Sequence, residues 1–346
     1  MHSFDYRFLA DNIPADVANV TNLVYELRGR NALRASVDEC TFSSLRDATT
    51  IESVRGSNAI EGIVTTRARL TELMQDNAAP TTPGEHEIVG YRRALDEIFA
   101  PGFSADLTQD YICHLHELLL RETSDQAGAY KRTNNWIQER DASGKLSVRF
   151  VPVSAEDTPE AMQQLVMAYH EASHDSKINS LALTACVVVD FLCIHPFADG
   201  NGRVSRLLTN MLLQQSGFNI GRYVSVEGMI NEYRAGYYDA LKASSEGWHE
   251  NKSDYAPFIL FLLQILYACY KELDQHYVEG TLEKVPKSQR VEAVLLSAYT
   301  PVSKEEVCDR LPDVGVSTVE RVLSRMVKEG SIEKIGTYRD ARYRRL

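Results

Sequence analysis

The chain has 346 residues, 44% hydrophobic and 25% charged, with a net charge of −11: ordinary globular material, long enough for two or three folded units. The charge is uneven, because residues 285 to 346 carry 12 Lys+Arg against 9 Asp+Glu, which leaves −14 on the rest and excludes that part as a nucleic-acid surface. Six cysteines without metal-ligand spacing read as reduced core thiols, and Met1 to Ala10 has no basic-then-apolar leader pattern, so a cytoplasmic protein with no membrane partner is expected.

From Pro14 to Gly84 the chain reads as helical segments, with Val17, Val20, Leu23, Val24 and Leu27 at helical spacing. His86 to Phe99 continues this until Pro101-Gly102 breaks it, and Leu107 to Glu122 is a further amphipathic helix. Between Tyr130 and Val153 the character changes. Alternation at Leu146, Val148 and Phe150, across Asp141-Ala142-Ser143-Gly144 from Trp136 to Gln138, predicts a β-hairpin. Helices resume at Pro159 to Glu171 and at Ile178 to Ile194, whose apolar stretch is too short to span a bilayer. The next helix runs to about Gln215, where Gly217 stops it; Ile230 to Ser244 and Tyr255 to Gln275 follow. Residues 279–288, with Gly280, Pro286 and several charges, are the expected linker. Beyond it, helices at Arg290 to Ala298, Lys304 to Arg310 and Ser317 to Lys328, then strands at Ile332 to Ile335 and Arg342 to Arg345, make a winged-helix pattern.

The most informative segment is His195 to Arg206, His-Pro-Phe-Ala-Asp-Gly-Asn-Gly-Arg-Val-Ser-Arg. Gly200-Asn201-Gly202 lets successive backbone N–H groups turn toward one anion at a helix start. Arg203 and Arg206, three apart, share one face of that helix. Asp199 beside a phosphate site suits Mg²⁺, which prefers carboxylate and phosphate oxygens together. His195 is the nearby group able to take a proton near neutral pH.

This segment resembles the signature of the Fic family: His, any, Phe, any, Asp or Glu, Gly, Asn, Gly, Arg, two of any, Arg. Every fixed position matches. Upstream, Ser57, Glu61 and Gly62 match the family's inhibitory-helix pattern of Ser or Thr, three of any, Glu, then Gly or Asn. One helical turn separates Ser57 from Glu61, so the hydroxyl is expected to orient the carboxylate. A carboxylate near Arg206 would occupy the cation that a terminal phosphate needs.

The resemblance implies a mainly α fold: an N-terminal helical region with the inhibitory helix (1–105), a Fic catalytic core with a β-hairpin flap (106–278), the linker (279–288) and a winged-helix domain (289–346). It implies protein adenylyltransfer, with AMP passing from ATP to a Ser, Thr or Tyr hydroxyl of a target docked on the flap at 133–151. His195 would be the base, Asp199 the Mg²⁺ ligand, and Gly200, Asn201, Gly202, Arg203 and Arg206 the phosphate site. Phe197 would pack inward to anchor the loop, and Asn231, Tyr237 and Tyr238 would line the adenine pocket. Glu61 could instead position a water that removes AMP. Self-modification and a homodimer stay open. So does DNA binding through Arg321, Arg325, Arg339, Arg342, Arg344 and Arg345.

Overall fold

The computed structural model describes residues 2–11, 14–37, 39–140, 146–284, 287–298, 301–312, 314–336 and 341–345. The chain divides into two compact units, residues 1–273 and 274–346. The first is helical: α1 (Phe8–Asp11), α2 (Ala15–Val37), α3 (Glu39–Ile60), α4 (Arg67–Met74), α5 (Pro83–Ile98) and α6 (Gln109–Leu120) precede a hairpin of β1 (Ile137–Arg140) and β2 (Leu146–Phe150). Then come α7 (Thr158–Ser173), α8 (Ser180–Ile194), α9 (Asn201–Gln215), α10 (Val226–Glu232), α11 (Arg234–Ser245) and α12 (Ala256–Lys284). The hairpin falls where alternation places it; its turn, residues 141–145, lies outside the described residues.

Helix α8 is the centre of the core, since nearly every side chain from Leu181 to Ile194 is buried and the helix is apolar all round. Asn179 caps its start by accepting from the N–H groups of Leu181 and Ala182. Its one buried carboxylate, Asp190, accepts three hydrogen bonds of 2.7 Å, from the Tyr6 and Tyr255 hydroxyls and the Trp248 indole. Burial still pushes that carboxyl up.

Helix α3 lies against α10 at a glycine pair. A Cβ on Gly56 would meet the backbone of Glu227 and Gly228 at 2.7–2.8 Å, so only glycine permits this approach. The helix ends in a Schellman motif, in which the Ile63 N–H reaches the Asn58 carbonyl and the Gly62 N–H the Ala59 carbonyl, both at 3.0 Å. Gly62 supplies the positive φ (80°) that the motif requires. This stop fixes Glu61 at the end of the helix.

Helix α12 continues into the expected linker at 279–288 as far as Lys284, because one internal glycine costs a helix only about 1 kcal/mol. Residues 285 and 286 lie outside the described residues. Among the described residues, Ala256–Tyr277 of α12 is long and apolar enough by length and composition to cross a membrane; Phe258, Leu262, Leu263, Leu266 and Cys269 on it are buried within the protein.

The second unit contains α13 (Lys287–Ser297), β3 (Val302–Ser303), α14 (Lys304–Arg310), α15 (Val316–Lys328), β4 (Ile332–Ile335) and β5 (Arg342–Arg345). Its antiparallel sheet has the order β3-β5-β4, and its core joins Val291, Leu295, Val302, Val307, Val319, Val322, Leu323, Met326 and Ile332. Strand β3 was not expected: two residues are too short for alternation to show. Arg325 pairs with Glu292, Arg344 with Glu333, Arg342 with Glu306 and Lys304 with Glu320, so much of the unit's basic charge meets carboxylates on neighbouring elements. Arg339 lies outside the described residues.

Candidate active site

His195 follows α8 as its C-terminal cap, in the left-handed region (φ 53°, ψ 59°), an uncommon conformation for a residue with a Cβ. Two side chains hold it there. Lys131 Nζ donates to the carbonyls of Ile194 and His195, both at 3.0 Å, and to Asn135 Oδ1 at 2.9 Å. Asn135 Nδ2 in turn reaches the Phe197 carbonyl at 3.0 Å. A cation thus satisfies carbonyls that the helix end leaves over. Burial pushes the Lys131 ammonium down to about 8.

The His195 ring presents Nδ1 to the Leu192 carbonyl at 3.2 Å, so Nδ1 carries the proton and Nε2 has its lone pair free. Burial pushes the imidazole down to about 4, against the raising effect of that hydrogen bond. At neutral pH His195 is a neutral base.

The loop after it is braced from below. Phe197 is fully buried, as expected, and stacks on His116 with centroids 3.8 Å apart and planes 4° apart. His116 accepts from the Gly128 N–H and donates Nε2–H to the Asp199 carbonyl at 3.1 Å. Burial holds this ring, too, at about 4. The Asn201 side chain makes a reciprocal pair with Phe197, accepting its N–H at 2.9 Å and donating to its carbonyl at 2.8 Å. Its amide is therefore a loop clamp, and only its backbone remains for an anion. Gly200 opens α9 with φ 79°, leaving the N–H groups of that helix start facing a cleft of about 230 Å³.

The two arginines have different situations. Arg203 is buried against Glu87 of α5, and its Nη2 lies 3.6 Å from Asp199. In this arrangement it lies outside the lining of the cleft. Arg206 does line it, and receives three acceptors from the end of α3: Ser57 Oγ at 2.8 Å, the Ser57 carbonyl at 3.0 Å and Glu61 Oε1 at 2.7 Å. Burial works to lower this guanidinium, but Glu61, Tyr237 and Tyr91 hold it above its ordinary value. Ser57 therefore grips the arginine; it does not orient Glu61, because the carboxylate sits past the helix end. Glu61 also lies directly over Gly202, leaving no room for a Cβ there. Its carboxylate occupies the place where the α9 N-terminus would take an anion.

The remaining walls are Ile137, Arg149 and Phe150 of the hairpin, Val189, Leu192 and Cys193 of α8, and Tyr237, Tyr238, Leu241 and Ser245 of α11. Tyr237 is core-packed against Phe258 and Phe261, while Tyr238 is half-exposed at the rim. Asn231 is outside the lining. Among the described residues no three metal-ligating side chains cluster. Asp199, largely exposed with Oδ1 accepting from Gly200 N–H at 2.7 Å, is a lone carboxylate at the glycine turn. That donor set fits Mg²⁺, which takes one or two carboxylates beside phosphate oxygens and water. Glu87, His116, Lys131 and Asn135 escaped the sequence analysis, since each acts on a partner 60 or more residues away.

A neutral base, a helix N-terminus and a buried cation gather at one cleft in a helical core, an arrangement suited to holding phosphate. Residues 106–213 match the model of the Fic/DOC family, so the chain carries a Fic/DOC domain. It is homologous to Fic protein adenylyltransferases. One from Nematostella vectensis is 29% identical over 219 residues, covering 60% of this chain and 44% of the relative. Another, from Drosophila melanogaster, is 28% identical over 244 residues, covering 69% and 43%. The chain thus spans less than half the length of these curated relatives. Among solved structures, a Fic family protein from Desulfovibrio desulfuricans superposes with a TM-score of 0.64 at 22% identity, covering 97% of both chains. C. elegans Fic-1 (residues 134 to 508) does so at 0.58 and 22%, covering 78% and 73%. These likenesses establish the Fic fold.

Proposed function

We propose that the protein is an autoinhibited protein adenylyltransferase, moving AMP from ATP to a Ser, Thr or Tyr hydroxyl of a target protein. The observation that carries this reading is Glu61, whose carboxylate sits both on Arg206 and over Gly202, where a terminal phosphate would bind. With Glu61 withdrawn, Arg206 pairs the γ-phosphate and the α9 N-terminus receives phosphate oxygens. His195 Nε2 takes the proton of the attacking hydroxyl as its oxygen bonds to the α-phosphorus, and pyrophosphate leaves. Asp199 would hold Mg²⁺, which neutralises phosphate charge when bound. The target would add a strand to the hairpin edge, whose neighbouring Trp136, Leu146, Val148 and Val151 are exposed. The second unit's helix-and-hairpin order supports a winged helix.

Labelling with α-labelled ATP and Mg²⁺ tests this. Glu61→Gly should label itself or a target at least about tenfold above wild type, the gain expected from removing roughly 1.4 kcal/mol of competition. His195→Ala in that background should label nothing while keeping its melting temperature. Equal labelling by all three proteins would sink the proposal. Release of AMP from a modified target without ATP would instead make Glu61 a water-positioning group.

A further inference from the structure

The hairpin contains an irregularity that alternation alone does not explain. Ile137 pairs with Phe150 and Gln138 with Val148, so Arg149 is an extra residue on β2, a β-bulge. Bulges re-aim side chains and recur beside active sites. Here the bulge turns both Arg149 and Phe150 into the cleft that holds His195. Arg149 Nη1 is buried and has no hydrogen-bond partner among the described residues. A buried guanidinium N–H left without an acceptor is costly, so such a group is expected to meet one when the cleft is filled.

The position of Arg149 narrows what that acceptor is. Glu61, Asp199 and Arg206 gather at the glycine end of the cleft, where phosphates would lie. Along α8 the lining continues from His195 back to Cys193 and Val189, about 9 Å of helix away from that end. Arg149 enters the cleft from the hairpin, beside Phe150 and the Ile137 that pairs with it. Away from the glycine turn the lining includes Ile137, Phe150, Val189, Leu192, Cys193 and Leu241, an apolar wall suited to a flat ring and unsuited to a triphosphate. Arg149 is the one charged side chain of that wall among the described residues.

We infer that Arg149 is the base-reading residue of the cleft, donating its unpartnered Nη1–H to a ring-nitrogen acceptor of the adenine. This rests on the nucleotide reading of the site. It makes the hairpin part of the nucleotide pocket as well as a platform for a target. A base presenting a donor edge at that point leaves the guanidinium unpaired and is rejected.

The test measures equilibrium binding to the full-length chain in the Glu61→Gly background, with ATP and with inorganic triphosphate as separate probes. Arg149→Leu and Arg149→Gln, which lose the charge but differ in keeping a donor, are compared with the parent. The expected result is that Arg149→Leu weakens ATP about tenfold, Arg149→Gln less, and neither changes triphosphate affinity by more than about twofold. Unchanged ATP affinity would overturn the inference while leaving the nucleotide site standing. An equal loss for ATP and triphosphate would also overturn it, because Arg149 would then serve phosphates or the fold. Failure of the parent to bind either probe would remove the nucleotide reading and this inference together.

Discussion

His195 and His116 show how burial sets chemistry one residue at a time. In the fold each takes a proton only at about pH 4, whereas an unfolded imidazole does so near 6.5. Between those values the unfolded chain binds more protons. The stability gained by keeping the rings neutral is complete above about pH 6.5 and is lost as pH falls toward 4. For His116, which is 2% exposed, the loss approaches about 3 kcal/mol. A melting-temperature series should decline over that window in wild type and decline less in His116→Asn. The same depression keeps the base competent in acid: labelling by Glu61→Gly should stay level from about pH 8 to 5.5. A fall in labelling centred near 6.5 would show that His195 titrates as an exposed imidazole.

The glycine turn was legible because it is local: His195, Gly200 and Gly202 sit in a loop whose glycines and adjoining helices are written in consecutive letters. Arg206 and Glu61 needed a resemblance to bring them together, since 145 residues separate them. The side-chain partners of Asn201 and Arg203, the Phe197 backbone and Glu87, were not legible, because a phosphate motif does not show what its polar side chains meet in the fold. Lys131 has no local signal at all; only the fold brings its ammonium beneath the His195 carbonyl.

At the scale of elements, the proposed inhibition depends on where α3 lies. Glu61 reaches Arg206 because the Schellman stop ends the helix there and because Gly56 lets α3 close on α10. Gly56→Ala would force a methyl against the backbone of Glu227 and Gly228, a strain of about 1–3 kcal/mol that moving α3 outward relieves. The expected outcome is a lower melting temperature together with labelling raised severalfold above wild type, with Glu61 itself intact. Loss of stability without a gain in labelling would show that α3 shifts without releasing Arg206. The helices were legible because their apolar periodicity is long. The glycine pair was not, since a glycine inside a helix carries no mark of what it faces.

Across the whole molecule, each side chain assigned to the cleft belongs to the first unit, while the second has its own buried core and sheet. Helix α12 passes through residues 274 to 284 without a break. A chain cut after Lys284 should therefore keep the catalytic function. In the Glu61→Gly background, residues 1–284 should label within about twofold of the full chain, since no group that stabilises the transferred phosphate is removed. Abolished labelling would mean that the second unit completes the site. The basic charge of the second unit is a poor footing for DNA, because counterion release requires cations free to meet phosphates, and Arg325, Arg342, Arg344 and Lys304 already face carboxylates. A gel shift with the full chain at about 50 mM salt should show no retained duplex. Salt-sensitive retention would mean that those pairs open on contact and that the unit delivers the catalytic domain to nucleic acid.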